Sequence, residues 1–278
     1  MKNTYTQSQL EKLKAAQLEM VREFAAICDR HGLQYFAVGG TCLGAVRHGG
    51  YIPWDDDIDL GMMREDYEQF LKYAPSELPE KFVLQHFLTD QNTPTYFAKI
   101  RNEKTIFLEE FAKDIPTSRG IFIDIFPFDA APDNKLIFRL FSFRCLFLNE
   151  FYLTKMVSVI CSNRPEESKA IYRIIRKSVS KISQIADREK LYIALDRCVR
   201  KYNDRGRKMI HHKGLAVSYV PYDSVFPLKN VPFENTVIPI PRDADYVLKT
   251  QYGDYMQLPP EEKRYSHKPY MLRFEDEM

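Results

Sequence analysis

A short acidic run constrains this sequence more than any other feature. Residues 55–60 read DDDIDL, with the single Trp of the chain just before them and two Met residues soon after. On a β-strand, side chains two residues apart lie on the same face, so Asp55, Asp57 and Asp59 would share one side. The two apolar residues of the run would then lie on the other side. This apolar bracketing favours the end of a buried strand over the alternative, a solvated acidic loop.

Acids crowded on one face in this way indicate a cation site. Carboxylates that share a face repel one another unless a cation neutralises them. Sites with only oxygen ligands suit Mg²⁺ or Mn²⁺, which bind through a few carboxylates, water and substrate phosphates. The run therefore predicts that two or three of these acids bind Mg²⁺ or Mn²⁺.

A glycine pair lies upstream of the acids. Residues 35–38 read YFAV, a short apolar run that predicts a buried strand, and Gly39 and Gly40 end it. Thr41 can cap a short helix that extends to Arg47. Such a turn exposes backbone N–H groups where the helix dipole favours an anion, and glycine lets a phosphate come close. An ordinary turn is the alternative, but together with the acids the pair describes a metal–phosphate site.

A third acid occurs in an apolar run that predicts a strand. Residues 120–127 read GIFIDIFP, with Asp124 near the centre. A buried Asp is costly unless it is paired or binds a metal. The alternative is a strand-end Asp that caps a turn before Pro127. Asp124 is therefore a candidate for the same site.

The periodicity of apolar residues predicts a chain that alternates helices and short strands before it becomes mainly helical. We expect helices at 7–31, 64–73 and 242–252, and strands at 35–38, 55–60, 82–87, 96–101, 105–110 and 121–126. This order indicates an α+β core built on a mixed sheet.

The composition changes after residue 132. Residues 133–213 carry 19 Lys and Arg against eight Asp and Glu, although the net charge of the whole chain is only +2. Three helices are expected here, at 133–160, 166–185 and 187–204. We interpret this stretch as a basic helical insertion between a core at 1–132 and a C-terminal segment at 214–278 that returns to the core.

Composition also excludes several classes of protein. The five cysteines are odd in number, scattered and never spaced as CxxC, which argues against a disulfide framework and a structural zinc site. A reducing, cytoplasmic compartment is the simplest interpretation. The N-terminus lacks the apolar core of a signal peptide, and no stretch of about 18 apolar residues predicts a transmembrane helix. The near-neutral total charge argues against a nucleic-acid partner.

Three blocks of sequence together resemble the LicD family. The long block at 38–60, VGGTCLGAVRHGGYIPWDDDIDL, resembles the signature that fukutin-related proteins share and that belongs to the nucleotidyltransferase superfamily. The run DIFP at 124–127 is similar to the middle block of the family. Residues 252–267, which contain YGDYM, PPEEKR and SH, are similar to its C-terminal block. The blocks occur in the order that the family has.

This resemblance implies a nucleotidyltransferase-type mixed β-sheet core flanked by helices. Asp57 and Asp59 match the DxD pair of the family and Asp124 matches its third acid, so these three are the candidates for catalysis and for binding Mg²⁺ or Mn²⁺. Family members transfer a phospho-substituted group, typically phosphocholine from CDP-choline, to a hydroxyl of a cell-surface glycan such as teichoic acid or lipopolysaccharide. CMP is released, and eukaryotic relatives use CDP-ribitol.

Further residues are candidates for binding the CDP-linked donor or the glycan acceptor. Lys99 and Arg101 are two apart on one predicted strand, so both would face the site as phosphate clamps, unless they are exposed strand charges. Trp54 either stacks on a base or sugar ring or anchors its loop. The remaining candidates are Gly39, Gly40 and Thr41 as donors to phosphate, Arg47 and His48 in the loop before the acids, and Lys263 and His267 in the C-terminal block.

Other activities remain open. A GT-A-type glycosyltransferase also uses a DxD pair, a metal and a sugar nucleotide, but it does not require the glycine pair or a third Asp on a later strand. A nucleotidyltransferase that passes an NMP group differs only in which phosphorus is attacked. A catalytically inactive binding protein on the same core would be indicated by loss of an acid, and none is missing.

The basic helices raise the question of membrane contact. Residues 136–160 are strongly apolar but contain four charged residues, which suits either a helix at a membrane interface that meets a lipid-linked glycan or a buried core helix. The Lys and Arg excess at 164–213 either attracts an anionic polymer or membrane or forms a solvated helical face. We therefore expect a cytoplasmic protein that can contact the inner face of the membrane.

Overall fold

The computed structural model describes residues 5–157, 185–264, 266–267 and 269–278. The strands are β1 (Phe36–Ala37), β2 (Asp59–Met63), β3 (Phe82–Gln85), β4 (Ala98–Asn102), β5 (Ile106–Leu108), β6 (Ile121–Ala131), β7 (Met209–His211), β8 (Val220–Pro221), β9 (Lys229–Phe233), β10 (Thr236–Ile240) and β11 (Met271–Arg273). The helices are α1 (Gln7–His31), α2 (Gly39–His48), α3 (Arg64–Glu77), α4 (Lys135–Met156), α5 (Arg188–Val199), α6 (Tyr222–Val225) and α7 (Ala244–Tyr252).

The main sheet is mixed, as the sequence predicts. Its central path runs β1-β2-β6-β4-β3, and the distal end of β6 also pairs with β7, which pairs with β8. β2 and β6 are parallel, whereas β1, β4 and β3 pair antiparallel with their neighbours. β6 is buried along almost its whole length, because α1 and α3 pack against it. This burial explains its continuous apolar sequence.

The first helix covers the sheet, and its bounds confirm the prediction from apolar periodicity. It begins at a capping box between Thr6 and Gln9 and ends at Gly32, which has a left-handed φ of +64°. Met20 and Phe24 lie on its apolar face and are completely buried. This face closes the main core over the strands that carry the acids.

Helices α4 and α5 form a second apolar cluster beside the sheet. They bury Phe141 and Cys145 of α4 against Leu195 and Cys198 of α5. Both helices are shorter than their predicted ranges of 133–160 and 187–204. The helix expected at 166–185 lies almost entirely outside the described residues.

Two local expectations are wrong. β2 begins at Asp59, so the acids at 55–57 lie in an irregular segment before the strand rather than within it. Helix α2 begins at Gly39 with Val38 as its N-cap residue, so Thr41 does not cap it. The glycine pair itself forms the first turn, and the buried Thr41 hydroxyl instead accepts a hydrogen bond from the Asp59 N–H at 2.8 Å.

Candidate active site

Acids from neighbouring strands meet at the centre of the sheet. The parallel register of β2 and β6 pairs Asp59 with Asp124, and the antiparallel register of β4 places Lys99 opposite Asp124. Lys99 Nζ donates to Asp124 Oδ1 at 2.6 Å, and both side chains are largely buried. Asp57 lies two residues before Asp59. The sheet therefore gathers the three predicted acids and one of the predicted phosphate clamps.

The glycine pair makes room for two carboxylates at the N-terminus of α2. A Cβ atom on Gly39 would lie 3.0 Å from Asp59 Oδ2, and one on Gly40 would lie 2.5 Å from Asp55 Oδ2. Gly39 also has a φ of +55°, which disfavours other residues. Because the helix dipole favours negative charge at this end, the acids and a phosphate group would both be stabilised here.

The acids shift one another's pKa values upward. Burial, followed by the charges of Asp124 and Asp55, raises the pKa of Asp59 to about 8. Burial and the charge of Asp59 raise the pKa of Asp57 well above its usual range. Lys99 and His267 act in the opposite direction on Asp59 without cancelling the effect. The site therefore holds more negative charge than its own cations neutralise.

The donor chemistry fits a divalent cation that is shared with a substrate. Within the described ranges, no three His, Cys, Asp or Glu side chains are arranged to hold a metal ion by themselves. Mg²⁺ commonly binds through one or two carboxylates and completes its shell with water and substrate phosphates. Asp57 and Asp59 fit that mode because their charges are incompletely neutralised, whereas Lys99 already pairs with Asp124.

His267 joins the site from the C-terminal block. Its backbone N–H donates to Asp56 Oδ1 at 3.1 Å, its Nδ1 lies 3.0 Å from the same oxygen, and it lies 3.8 Å from Asp57 Oδ2. The hydrogen bond to Asp56 is the main cause that raises the pKa of His267 to about 10. The ring therefore brings positive charge to the edge of the acidic cluster.

Asp56 is an anchoring residue that the sequence analysis did not single out. It is almost completely buried, and it accepts hydrogen bonds from Tyr5 Oη at 2.5 Å and from His267. Its backbone carbonyl accepts from Gln17 Nε2 at 2.9 Å. Nothing in the sequence indicates this role, because Asp56 is held by residues far from it along the chain, and these contacts fix the segment that carries the other acids.

Arg101 lies in the site but is largely engaged by the protein. Its Nε donates to Gln85 Oε1 at 2.7 Å and its Nη1 donates to the Gly120 carbonyl at 2.8 Å. Lys99 and Arg101 face the same side of β4, as their spacing predicts, and both line the same cavity. Of these two cations, Lys99 is the one paired with a predicted catalytic acid.

The side chains of four other predicted residues contact other parts of the protein or are exposed. Arg47 and His48 end α2, at the opposite end from the glycine pair, where Arg47 Nη1 donates to the Tyr255 carbonyl at 2.5 Å. Trp54 has the guanidinium of Arg264 4.9 Å from its ring centroid. Lys263 is exposed on a short 3₁₀ turn. Their roles in binding substrate remain predictions.

Two cavities flank the acids. The first, of about 200 Å³, is lined by Asp57, Asp124, Lys99, Arg101 and His267 together with several Phe rings. The second, of about 230 Å³, is lined on the acidic side by Gly39 and Asp59 and elsewhere mainly by aromatic and aliphatic side chains. The acids therefore stand between a charged cavity and an apolar one.

The fold is a mixed sheet in which acids lie on two adjacent parallel strands, next to the N-terminus of a helix that begins with two glycines. This arrangement defines a nucleotidyltransferase-like fold. Residues 32–145 match the family described as LicD/FKTN/FKRP, nucleotidyltransferase domain. The resemblance identified from the three sequence blocks is confirmed.

The chain is similar to transferases over different lengths. It is 27% identical to the lipopolysaccharide cholinephosphotransferase LicD of Haemophilus influenzae over 253 residues, which cover 90% of this chain and 92% of that protein. It is 46% identical to the human and mouse ribitol 5-phosphate transferase FKRP over 48 residues, only 17% of this chain and 10% of those proteins. Of these two likenesses, the one to LicD covers most of the chain.

None of the helices in the described ranges is both long enough and apolar enough to cross a bilayer.

Proposed function

We propose that this protein is a phosphotransferase that moves phosphocholine from CDP-choline to a hydroxyl of a cell-surface glycan, such as lipopolysaccharide or teichoic acid, and releases CMP. The observation that carries the proposal is the strand register that places Asp59 opposite Asp124. These acids lie next to the N-terminus of α2, where Gly39 and Gly40 leave room for carboxylates. The full-length similarity to a cholinephosphotransferase supports the choice of phosphocholine.

Asp57 and Asp59 would hold Mg²⁺ or Mn²⁺ in this reaction. When bound, the metal would neutralise charge on the diphosphate of the donor and on the leaving oxygen. The N–H groups at the start of α2, next to Gly39 and Gly40, would donate to phosphate oxygens. The protein thus meets the donor with backbone donors on one side and carboxylates on the other.

Asp124 is the proposed proton acceptor. Lys99 donates to its Oδ1, which leaves Oδ2 to accept the proton of the attacking hydroxyl. The hydroxyl oxygen bonds to the phosphorus that carries choline, and the bond from that phosphorus to the bridging oxygen breaks. The electron pair leaves with CMP, while Lys99 and His267 supply positive charge beside the phosphates.

The alternatives make different use of the same acids. A GT-A-type glycosyltransferase would transfer the sugar of a sugar nucleotide, and a nucleotidyltransferase would pass the NMP group and release the other phosphate. The third acid on the adjacent parallel strand and the glycine pair argue against the glycosyltransferase, whereas a nucleotidyltransferase would use the same groups and differ only in the phosphorus attacked. The presence of all three acids favours an active enzyme over an inactive binding protein.

The test is an assay of the purified protein with Mg²⁺ and a panel of CDP-choline, CDP-ethanolamine, CDP-ribitol and CDP-glycerol. We expect CMP release from CDP-choline that increases when a glycan acceptor is added. Turnover of sugar nucleotides alone would favour the glycosyltransferase. Absence of CMP release from every CDP-alcohol, with and without acceptors, would contradict the proposal.

We also propose that α4 contacts the anionic inner face of the membrane, where a lipid-linked acceptor would be found. Leu136, Leu140, Phe143 and Phe147 are spaced by four, three and four residues, and each is more than half exposed. This spacing places them on one face of the helix. Arg144, Arg197 and Lys201 line the adjoining groove, so apolar and basic groups lie together.

A further inference from the structure

The second cavity has an aromatic wall made of Phe36, Phe126, Phe128 and His212. Successive ring centroids in this wall are 5.1 Å apart for Phe36 and Phe128, 5.9 Å for Phe128 and His212, and 4.8 Å for His212 and Phe126. Asp59 lines the same cavity. A group held against this wall is therefore next to an acid of the candidate active site.

The wall is held in place by close packing. A Cβ atom on Gly61 of β2 would lie 2.8 Å from the Phe128 ring and 3.0 Å from the Phe36 ring, so only glycine leaves room for both rings. His212 Nδ1 lies 3.0 Å from the Pro127 carbonyl, to which it donates. Burial lowers the pKa of His212 to about 3, so its ring stays neutral. The rings are thus fixed in position before a ligand binds.

The rest of the cavity offers few hydrogen-bonding groups. Much of its remaining lining is aliphatic, from residues such as Val220, Val225 and Leu248. The Ser218 hydroxyl is already used, because it accepts from the His212 N–H and donates to the Leu215 carbonyl, both at 2.9 Å. A ligand with several hydroxyl groups would leave most of them without partners, which is costly in a buried site.

The lining also contains a basic residue, Lys213. Its Nζ lies 5.7 Å from the centroid of Phe97, a ring that lines the first cavity and not the second. The second cavity keeps Asp59 as its only acid beside neutral rings.

We propose that the aromatic wall binds the quaternary ammonium head group of the donor and selects it over primary ammonium and polyol head groups. This inference rests on the proposed function for the identity of the donor. A quaternary ammonium donates no hydrogen bonds and is attracted to ring faces, which matches this cavity. A primary ammonium needs three acceptors and a polyol needs one or more partners for each hydroxyl.

The test measures affinity by calorimetry for CDP-choline, CDP-ethanolamine, CDP-ribitol and CMP with the full chain and Mg²⁺. We expect wild-type protein to bind CDP-choline about tenfold more tightly than CDP-ethanolamine, the size of a desolvated cation–π contact. Phe126→Leu should reduce this ratio severalfold and leave the affinity for CMP unchanged. Phe128→Leu repeats the test at a second ring in case one variant folds poorly.

The matched control is Phe70→Leu, which removes a buried ring from α3 that lines neither cavity. It should leave the ratio of affinities unchanged even if it lowers the melting temperature. An unchanged ratio in both Phe126→Leu and Phe128→Leu would overturn the inference, as would a wild-type protein that binds CDP-choline no better than CMP.

CMP release measured on the same samples separates this inference from the proposed function. If CMP is released from CDP-choline but the ratio of affinities for CDP-choline and CDP-ethanolamine is unchanged in the variants, the proposed function is supported and the inference is contradicted. If no CDP-alcohol is turned over, the proposed function is contradicted. The affinities still decide in that case whether the wall recognises a quaternary ammonium.

Discussion

Asp59 and Asp124 stand opposite each other on two parallel strands, yet Lys99 donates a hydrogen bond to Asp124, 2.6 Å from its Oδ1. Asp124 is thus held as an ion pair, whereas Asp59 is buried beside other acids and its pKa is raised to about 8. The proposed function gives these neighbouring carboxylates different tasks. In it, Asp59 and Asp57 hold the cation, and Asp124 accepts the proton of the attacking hydroxyl.

The first prediction concerns the metal-binding acids. Asp57→Asn and Asp59→Asn should each reduce CMP release at least a hundredfold, because loss of metal charge stabilisation costs about 3 kcal/mol or more. Both variants should unfold at the wild-type temperature or above, since each removes one of several mutually repelling buried carboxylates. The exposed Asp114→Asn is the control and should change neither property. Near-wild-type turnover in either variant would remove these residues from the mechanism.

The second prediction concerns the metal itself. Mg²⁺ or Mn²⁺ should raise the melting temperature of the wild-type protein, because a ligand that binds only the folded state stabilises it. The increase should be lost in Asp57→Asn and Asp59→Asn, and CMP release should disappear in EDTA and return with added metal. Equal thermal shifts in wild type and both variants would place the cation elsewhere.

The third prediction concerns the glycine next to the acids. Gly39→Ala and Gly32→Ala both place a side chain at positive φ, so each should destabilise the fold by about 1–2 kcal/mol. Only the Gly39 variant brings a Cβ atom to 3.0 Å from Asp59, while nothing lies within 4 Å of a Cβ at Gly32. CMP release, compared at a temperature where both variants are folded, should therefore fall sharply in Gly39→Ala alone. A matching loss in both variants would mean that backbone strain, not the displaced acid, is responsible.

Local patterns were sufficient for the elements that form the site. The periodicity of the first 31 residues and the apolar run around Asp124 led to α1 and β6. These patterns work because burial on one face imposes a fixed spacing on a helix or a strand.

Contacts set by the order of strands could not be predicted in this way. Lys99 meets Asp124 because β4 pairs with β6, and His267 meets Asp56 across 211 residues of sequence. Nothing in the sequence around His212 indicates that it lines a cavity beside Asp59. Thr41 was misassigned because its hydroxyl has two possible partners, the helix N-terminus and the next strand, and sheet packing selects the strand.

The fourth prediction concerns a buried ion pair that joins α3 to β6. Arg64 Nε and Nη2 donate to the two oxygens of Asp129 at 2.8 and 2.6 Å. Asp129→Asn should cost about 3–5 kcal/mol in urea unfolding at pH 7, because it leaves the buried Arg64 charge with only the more distant carboxylate of Asp196, at 3.6 Å. Replacing both residues, as Arg64→Met with Asp129→Leu, should recover part of that loss, since Asn203 also loses its bond to Asp129. A cost below about 1 kcal/mol for Asp129→Asn would show that the pair contributes little.

The same pair predicts how stability depends on pH. Burial alone would raise the pKa of Asp129, but the charge and hydrogen bonds of Arg64 lower it below its ordinary value. A lowered pKa means that the stabilisation is present above the unfolded value of about 3.9 and is lost as the pH falls through the folded value. The difference in free energy of unfolding between wild type and Asp129→Asn should therefore shrink as the pH is lowered below about 4. A constant difference across this range would argue that the ion pair is not the source of the stabilisation.

The last prediction tests the exposed face of α4 with vesicles. The protein should float with vesicles that contain anionic phosphatidylglycerol and much less with neutral phosphatidylcholine, and added salt should weaken binding because charges are screened beyond about 8 Å at physiological ionic strength. Leu140→Ser with Phe143→Ser should reduce flotation severalfold with little change in melting temperature, since the two side chains are 71% and 74% exposed. Leu88→Ser changes an equally exposed Leu (74%) outside α4 and should have no effect. CMP release with a water-soluble acceptor should be unchanged in all three proteins, because the acids lie on the central sheet. Equal binding to both kinds of vesicle, unaffected by the α4 substitutions, would contradict the proposed membrane contact of α4.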